Sequence, residues 1–140
     1  MPFLLAWLMS LLIFINIPIK QIDPRVEPYY NEFMGIVKNE CPNLETPRQF
    51  IVGFGTLRNE EIGLCYTYSV RREIKFDESF WEITPEYGRR QLVFHELTHC
   101  VLNVHHIDNN ENYMNPYLIY IPESDLIEQL QQNARSVCNE

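Results

Sequence analysis

The stretch TPEYGRRQLVFHELTHCVLN, residues 84–103, decides how the fold of this chain is interpreted. It opens with Thr84-Pro85-Glu86, and a hydroxyl residue followed by a proline and an acid is typical of a helix N-terminus that the hydroxyl caps. We expect this helix to run to about Asn103. Apolar residues flank its middle and indicate that the helix is buried: Leu92, Val93, Leu97 and Val101.

Two further helices are predicted, one on each side of this central helix. The first is indicated by four apolar residues at helical spacing, closed by Cys41-Pro42: Val26, Tyr30, Phe33 and Val37. The last covers residues 124–137, where four apolar residues share a face: Leu126, Leu130, Ala134 and Val137. The stretch before it, residues 104–122, is rich in Asn, His and Pro and is predicted to be irregular.

Three strands are predicted where Ile, Val, Phe, Tyr and Thr become frequent and glycines interrupt them. We place the strands at residues 49–55, 64–70 and 73–77, with a tight connection at Arg71-Arg72. In the second strand Cys65, Thr67 and Ser69 alternate with four larger residues that form its predicted buried side: Leu64, Tyr66, Tyr68 and Val70. These elements predict an α+β domain with a small twisted mixed sheet, a central helix behind it and a C-terminal helix alongside.

The N-terminal residues are too apolar to belong to this domain. Residues 2–19 are almost all apolar, interrupted only by Ser10, Asn16 and Pro18. Such a segment is typical of a cleaved secretory signal or of a retained anchor that associates with a membrane through residues 3–19, and a buried core helix is the alternative. We therefore expect a secreted, periplasmic or membrane-anchored protein.

This division gives a leader, residues 1–19, and a domain, residues 20–140, which begins with a short polar linker at residues 20–25. The formal charge of -8 and the scattered Lys and Arg residues argue against nucleic acid as a partner. Four cysteines in an exported chain predict one or two disulfides, and three full pairings remain open beside free buried thiols: Cys41, Cys65, Cys100 and Cys138.

The central helix carries a chemical motif, His95-Glu96-Leu97-Thr98-His99. Residues four apart lie on the same helix face, so the imidazoles of His95 and His99 can converge on one Zn²⁺ ion. Glu96 then stands next to the first ligand, where its carboxylate can exchange protons with a water in the open metal position. The alternative is a pair of helix-surface histidines without a metal, but on a buried helix unpaired imidazoles would need other polar partners.

The string at residues 95–106, together with Tyr113-Met114-Asn115-Pro116, resembles the extended zinc motif and the Met-turn of the metzincin clan of metallopeptidases. The resemblance implies a third histidine ligand after a sharp turn at the helix end, with Met114 as an apolar floor beneath the metal. A loop methionine that fills a gap is the alternative for Met114. Tyr117 is a candidate oxyanion donor, although its spacing from Met114 favours a role in core packing.

The third ligand is either His105 or His106. The clan's usual spacing places the turn at Leu102, which makes His105 the ligand. Leucine is a poor residue for the left-handed conformation that ends such a helix, whereas asparagine is the best choice after glycine. We therefore predict the turn at Asn103 and His106 as the third ligand, with Asp108 a candidate to orient a ligand imidazole.

The sequence thus predicts a zinc endopeptidase that hydrolyses peptide bonds, with Glu96 as the general base. Its peptide or protein substrate would bind in extended form, as an additional strand of the sheet. A thermolysin-like enzyme whose third ligand is a carboxylate, Glu111 or Glu123, is one alternative. A zinc-binding surface module without catalytic activity is another.

Overall fold

The computed structural model describes residues 18–140 as a four-stranded sheet and four helices. The predicted α+β class with a small mixed sheet is confirmed. The predicted leader lies outside the described residues except for its last two, Pro18 and Ile19, and no helix within residues 18–140 is long and apolar enough to cross a membrane. The elements are β1 Ile19–Ile22, α1 Glu27–Glu40, β2 Gln49–Gly55, β3 Gly63–Thr67, β4 Arg71–Asp77, α2 Glu78–Ile83, α3 Glu86–Leu102 and α4 Glu123–Cys138.

The strand order in the sheet is β1-β2-β4-β3. β1 pairs with β2 and β2 with β4 in parallel, whereas β3 pairs with β4 in antiparallel. β3 is therefore an edge strand, and one side of its backbone has no strand partner within the described residues. An edge of this kind can accept another extended chain.

The core lies between the sheet and the helices. Alternating residues of β2 and β4 face it, Phe50 and Val52 from one strand and Ile74 and Phe76 from the other, each at most 4% exposed. The predicted helical faces are buried against them, mainly through Phe33 and Val37 of α1, Leu92, Val93, Phe94 and Leu97 of α3, and Leu126, Leu130 and Ala134 of α4. Burial of so many apolar side chains is the dominant stabilising term of the fold.

The first strand, β1, was not predicted, and the predicted linker at residues 20–25 is wrong in its first half. Ile19–Ile22 instead forms β1, and its residues pair with β2 from Gln49 to Val52. The segment has only four residues, and its two polar residues are adjacent, so no alternation of polar and apolar residues indicates a strand. Its conformation is set by hydrogen bonding to β2, including the bond from Ile19 N–H to the carbonyl of Arg48 at 2.9 Å.

The hairpin between β3 and β4 also differs from the prediction. β3 ends at Thr67, and the turn lies before Arg71, where Tyr68 N–H donates to the Arg71 carbonyl at 2.9 Å. Arg71 and Arg72 belong to β4 because they pair with Gln49 and Phe50 of β2. The predicted tight connection at Arg71-Arg72 is wrong, since pairing across the sheet overrides the local polar signal.

The predicted buried side of β3 is wrong as well. Tyr68 and Val70 are 47% and 44% exposed, whereas Cys65 on the opposite side of the strand packs against the core. The reason is covalent, because Cys65 forms a disulfide with Cys100 of α3. A second disulfide joins Cys41 to Cys138 at the ends of α1 and α4, so two disulfides are present and one of the three pairings is selected.

The start of α3 is close to the prediction, but Thr84 does not cap it. The Thr84 hydroxyl donates to the Phe80 carbonyl of α2, a short helix that the sequence analysis missed. Pro85 occupies the cap position of α3 and makes no side-chain hydrogen bond there. The hydroxyl therefore serves the end of the preceding helix.

Candidate metal centre

α3 carries His95 and His99 one turn apart on the same face. Their Nε2 atoms lie 3.1 Å from each other, and the two rings are nearly perpendicular. His95 is 7% exposed, and His99 is partly buried. The helical spacing therefore brings two imidazole nitrogens to one point, as the motif predicted.

The end of α3 determines which histidine joins them. Leu102 is 3% exposed and belongs to the core, so the helix continues through this residue. Asn103 then adopts the left-handed conformation, with φ 57° and ψ 36°, and its N–H donates to the Thr98 carbonyl. The predicted turn at Asn103 is confirmed.

His106 is the residue that this turn brings to the pair. Its Nε2 lies 3.2 Å from Nε2 of His95, and its ring contacts the rings of both His95 and His99. His105 is exposed and is not part of the cluster. Within the described residues, His95, His99 and His106 are the one group whose ligand atoms are close enough to share a metal ion.

Backbone carbonyls fix the orientation of two of the rings. Nδ1 of His95 lies 2.8 Å from the Tyr113 carbonyl, and Nδ1 of His99 lies 2.6 Å from the Val104 carbonyl. A carbonyl only accepts hydrogen bonds, so each Nδ1 must carry the proton and each neutral ring presents an unprotonated Nε2. The carbonyls take the role predicted for Asp108, which makes no described contact with the cluster.

The electrostatics of the cluster favour a cation at its centre. Burial and the neighbouring histidines lower the pKa of His95 to about 4, and burial lowers the pKa of His99 as well. Both shifts favour the neutral rings, and with the protons on Nδ1 the Nε2 lone pairs of His95 and His99 lie 3.1 Å apart. A metal ion bound between the two nitrogens would relieve the repulsion of their lone pairs.

Zn²⁺ fits this set of donors. Tetrahedral zinc with Zn–N bonds of about 2.0–2.1 Å separates its nitrogen ligands by roughly 3.3 Å. The observed Nε2 separations of 3.1 and 3.2 Å are close to that value. A carbonyl bonded to the second ring nitrogen, as at His95 and His99, is also the arrangement that orients histidine ligands in zinc sites.

Glu96 lies beside the cluster and is held by close packing. It is 5% exposed and makes no hydrogen bond or ion pair within residues 18–140. Burial, with a smaller contribution from Glu61, raises the pKa of its carboxyl to about 8. A divalent cation nearby would stabilise the carboxylate and lower this pKa again.

Gly63 at the start of β3 determines where the Glu96 side chain can lie. A Cβ atom on Gly63 would stand 2.9 Å from both Cγ and Oε1 of Glu96, which is too close for any real contact. The strand can approach α3 here only because residue 63 has no side chain. In the sequence Gly63 is only one of the glycines that interrupt the predicted strands, because its contact with Glu96 depends on tertiary packing.

Met114 lies in a tight turn and is fully buried. The turn closes through a bond from Asn115 N–H to the Asn112 carbonyl, and the Asn112 side chain accepts from Met114 N–H. The preceding residue, Tyr113, supplies the carbonyl that orients His95, and its hydroxyl contacts Thr98 of α3 and Asn133 of α4. The turn is thus held rigidly against α3.

The prediction that Tyr117 packs in the core is wrong. Its side chain is 79% exposed, and it lines a cavity that also contains His95, Glu96 and His106. The two carboxylates proposed as alternative ligands lie elsewhere. Glu123 pairs with Arg90 at 2.9 Å, and neither it nor Glu111 belongs to the histidine cluster.

Two cavities open on either side of the cluster. The Thr67 cavity, of about 510 Å³, extends along β3 past His99, Asn103 and His105. The Leu92 cavity, of about 370 Å³, lies between the loop before β3 and the segment after Met114. Both reach Glu96, His106 and the first two residues of β3, so together they form a groove at the cluster beside this edge strand.

Comparisons with protein-family models, with curated proteins and with solved structures found no match to this chain.

Proposed function

We propose that this protein is a zinc-dependent endopeptidase. One observation carries the proposal: three imidazole Nε2 atoms converge, two of them with their tautomer fixed by carbonyls, beside Glu96, which is 5% exposed, lines both cavities and makes no hydrogen bond or ion pair within residues 18–140. Converging imidazole nitrogens with an open position and a carboxylate beside them are the groups that a catalytic zinc site requires. The resemblance to metzincins in the zinc motif and the Met-turn supports the same assignment.

The residues of the groove have distinct tasks. When bound, zinc supplies Lewis acidity toward a carbonyl and acidifies a coordinated water. Glu96 accepts the proton of the attacking water and returns it to the leaving amine. Tyr117 is exposed at the same cavity and is a candidate donor to the oxyanion.

The substrate would bind along β3. Gly63, Leu64, Cys65 and Thr67 line the groove, and the outer backbone of this edge strand is free within the described residues. An extended peptide added as a fifth strand would place its backbone beside the histidine cluster. We infer a metzincin-like arrangement in which the edge strand, α3 and the Met114 turn enclose the scissile bond.

The two disulfides support a location outside the cytoplasm, where such bonds persist. We therefore propose that the protein is exported, with residues 1–19 as its signal or its membrane anchor. N-terminal sequencing of the protein recovered from membrane and soluble fractions distinguishes a mature chain that begins near Lys20 from one that retains Met1.

The experiment that tests the proposed function combines metal removal with peptide cleavage. Purified protein is dialysed against a chelator, reconstituted with increasing zinc and incubated with a broad peptide library. We expect cleavage to disappear with the metal and to return as the protein binds one zinc ion per chain. Zinc binding without cleavage of any peptide would instead identify a zinc-binding surface module.

The contact between Gly63 and Glu96 leads to a first prediction. Gly63→Ala should displace the Glu96 carboxylate and lower kcat/KM by roughly 100-fold, because a shift of about 1 Å in a catalytic group has that effect. The matched control is Gly53→Ala in β2, where an added Cβ meets nothing within 4 Å. Equal activities of the two variants in peptide cleavage would show that this contact does not position Glu96.

The disulfides lead to a second prediction. Cys65–Cys100 closes a loop of 35 residues and Cys41–Cys138 one of 97 residues. Loss of Cys41–Cys138 should lower the free energy of unfolding by about 4–5 kcal/mol, and loss of Cys65–Cys100 by about 3–4 kcal/mol, because the longer loop gains more entropy in the unfolded state. Activity should follow the opposite order, because Cys65–Cys100 ties the substrate-binding edge strand to α3. The measurement compares two double variants, Cys65→Ala with Cys100→Ala and Cys41→Ala with Cys138→Ala, below their melting temperatures. Equal activity of the two would show that Cys65–Cys100 does not hold the substrate-binding strand in place.

A further inference from the structure

The Leu92 cavity has an apolar interior beside the metal cluster. Its buried end includes Leu92, which is 2% exposed, and its walls include the partly buried Ile62 and Leu118. The cavity reaches Glu96, a residue that is 5% exposed and makes no hydrogen bond or ion pair within residues 18–140. A substrate side chain next to the scissile bond could enter here, since the cavity touches His95 and His106 as well.

The mouth of this cavity is acidic. Glu60 and Glu61 line it and are exposed, and neither carboxylate forms an ion pair or a side-chain hydrogen bond within the described residues. None of the described residues that line the cavity is a Lys or an Arg. The formal charge of the chain, -8, adds to a negative potential at this end of the groove.

An unfavourable backbone conformation holds these two acids in place. The turn from Arg58 to Glu61 is closed by a backbone hydrogen bond of 3.2 Å, and both of its central residues have positive φ, 59° at Asn59 and 62° at Glu60. Turns of this pattern prefer Asn-Gly. Glu60 occupies the glycine position at a steric cost, so the carboxylate is placed at the cavity mouth at the expense of local stability.

We propose that the Leu92 cavity binds a lysine or arginine side chain adjacent to the scissile bond, and that Glu60 and Glu61 select it. This inference rests on the proposed peptidase function and specifies its substrate class. The aliphatic stem of such a side chain would pack against Ile62, Leu92 and Leu118, as long basic side chains do on apolar surfaces. Its cationic end would reach the carboxylates at the mouth, where it remains in contact with water.

The test compares two peptides that differ only in one charge. One peptide has lysine and the other norleucine next to the same scissile bond, so the stem is retained and the ammonium is removed. We expect the zinc-loaded protein to cleave the lysine peptide with a kcat/KM about five- to tenfold higher. The ratio should fall as the ionic strength rises from about 0.02 M to about 0.5 M, because the carboxylates are exposed.

Variants assign the preference to the acidic mouth. Glu60→Gln with Glu61→Gln should bring the ratio of the two kcat/KM values close to one. The matched control, Glu128→Gln with Glu140→Gln, removes the same formal charge from exposed positions that line neither cavity and should keep the ratio. Glu60→Gly should lower the ratio while leaving the melting temperature equal or higher, since glycine is relaxed at this backbone position.

The outcomes separate this inference from the function on which it rests. Cleavage of library peptides without a preference for lysine or arginine beside the scissile bond would overturn the inference and leave the peptidase standing. A lysine preference that survives loss of both carboxylates would overturn it as well. Failure to cleave either peptide or any member of the library would overturn the proposed function itself.

Discussion

Glu96→Gln should abolish peptide cleavage and leave the zinc content of the protein unchanged. Glu96 is not one of the three converging donors, so its replacement removes no metal ligand. Loss of a general base costs at least about 100-fold in rate, and the effect here should reach that size because, within residues 18–140, Glu96 is the one buried carboxylate. The measurement is kcat/KM together with metal analysis of the same preparation.

The same variant should be more stable than the parent when metal is absent. The pKa of Glu96 is raised in the folded protein from 4.5 to about 8, so the folded state prefers the protonated acid. Ionisation therefore lowers the stability of the metal-free protein as pH rises from about 4.5 to about 8. The gain from Glu96→Gln should be close to zero at pH 4 and reach roughly 2–4 kcal/mol at pH 9.

These two readouts distinguish loss of chemistry from loss of structure. A protein that is folded, loaded with zinc and inactive supports Glu96 as the base. Retained cleavage by Glu96→Gln would contradict the mechanism. Loss of zinc together with activity would place Glu96 in the metal site, contrary to its position outside the histidine cluster.

His106→Ala should weaken zinc binding by more than about 100-fold, since loss of an outer-shell partner alone costs 10- to 100-fold. In the proposed site His106 is one of three ligands, and its loss would leave only His95 and His99. Cleavage should fall in parallel. Zinc affinity is measured by competition with a chromophoric chelator, and activity is measured with excess zinc.

The neighbouring histidine provides the matched control. His105 is exposed and outside the cluster, so His105→Ala should change zinc affinity by less than about threefold. Asn103→Gly should be tolerated, because glycine meets no steric penalty at φ 57°. An essential His105 and a dispensable His106 would refute the helix-end argument while leaving the peptidase assignment open.

The sequence predicted the central helix and the residues of the cluster because their signals are local. The spacing of His95 and His99 follows from helix geometry alone, and the turn at Asn103 follows from the conformational preference of asparagine. The burial of Leu102 reinforces that turn, since this side chain keeps the helix in register with the core. The conformational preference of Asn103 and the burial of Leu102 therefore favour the same helix end.

The features that escaped prediction depend on residues distant in the chain. β1 is a strand because it pairs with β2. Cys65 of β3 faces the core because it forms a disulfide with Cys100 of α3. The closeness of Gly63 to Glu96 and the exposure of Tyr117 at the cavity have the same origin. Strand pairing, disulfide connectivity and tertiary packing determine these features, and none of them can be predicted from a short window of sequence.

The most direct test of the zinc site is anomalous diffraction at the zinc absorption edge from crystals of the zinc-loaded protein. We predict one strong anomalous peak per chain, at about 2.0–2.1 Å from Nε2 of His95, His99 and His106. The carbonyls of Tyr113 and Val104 should still accept from Nδ1 of His95 and His99. A peak ligated by other residues, or none at the histidine cluster, would contradict the account.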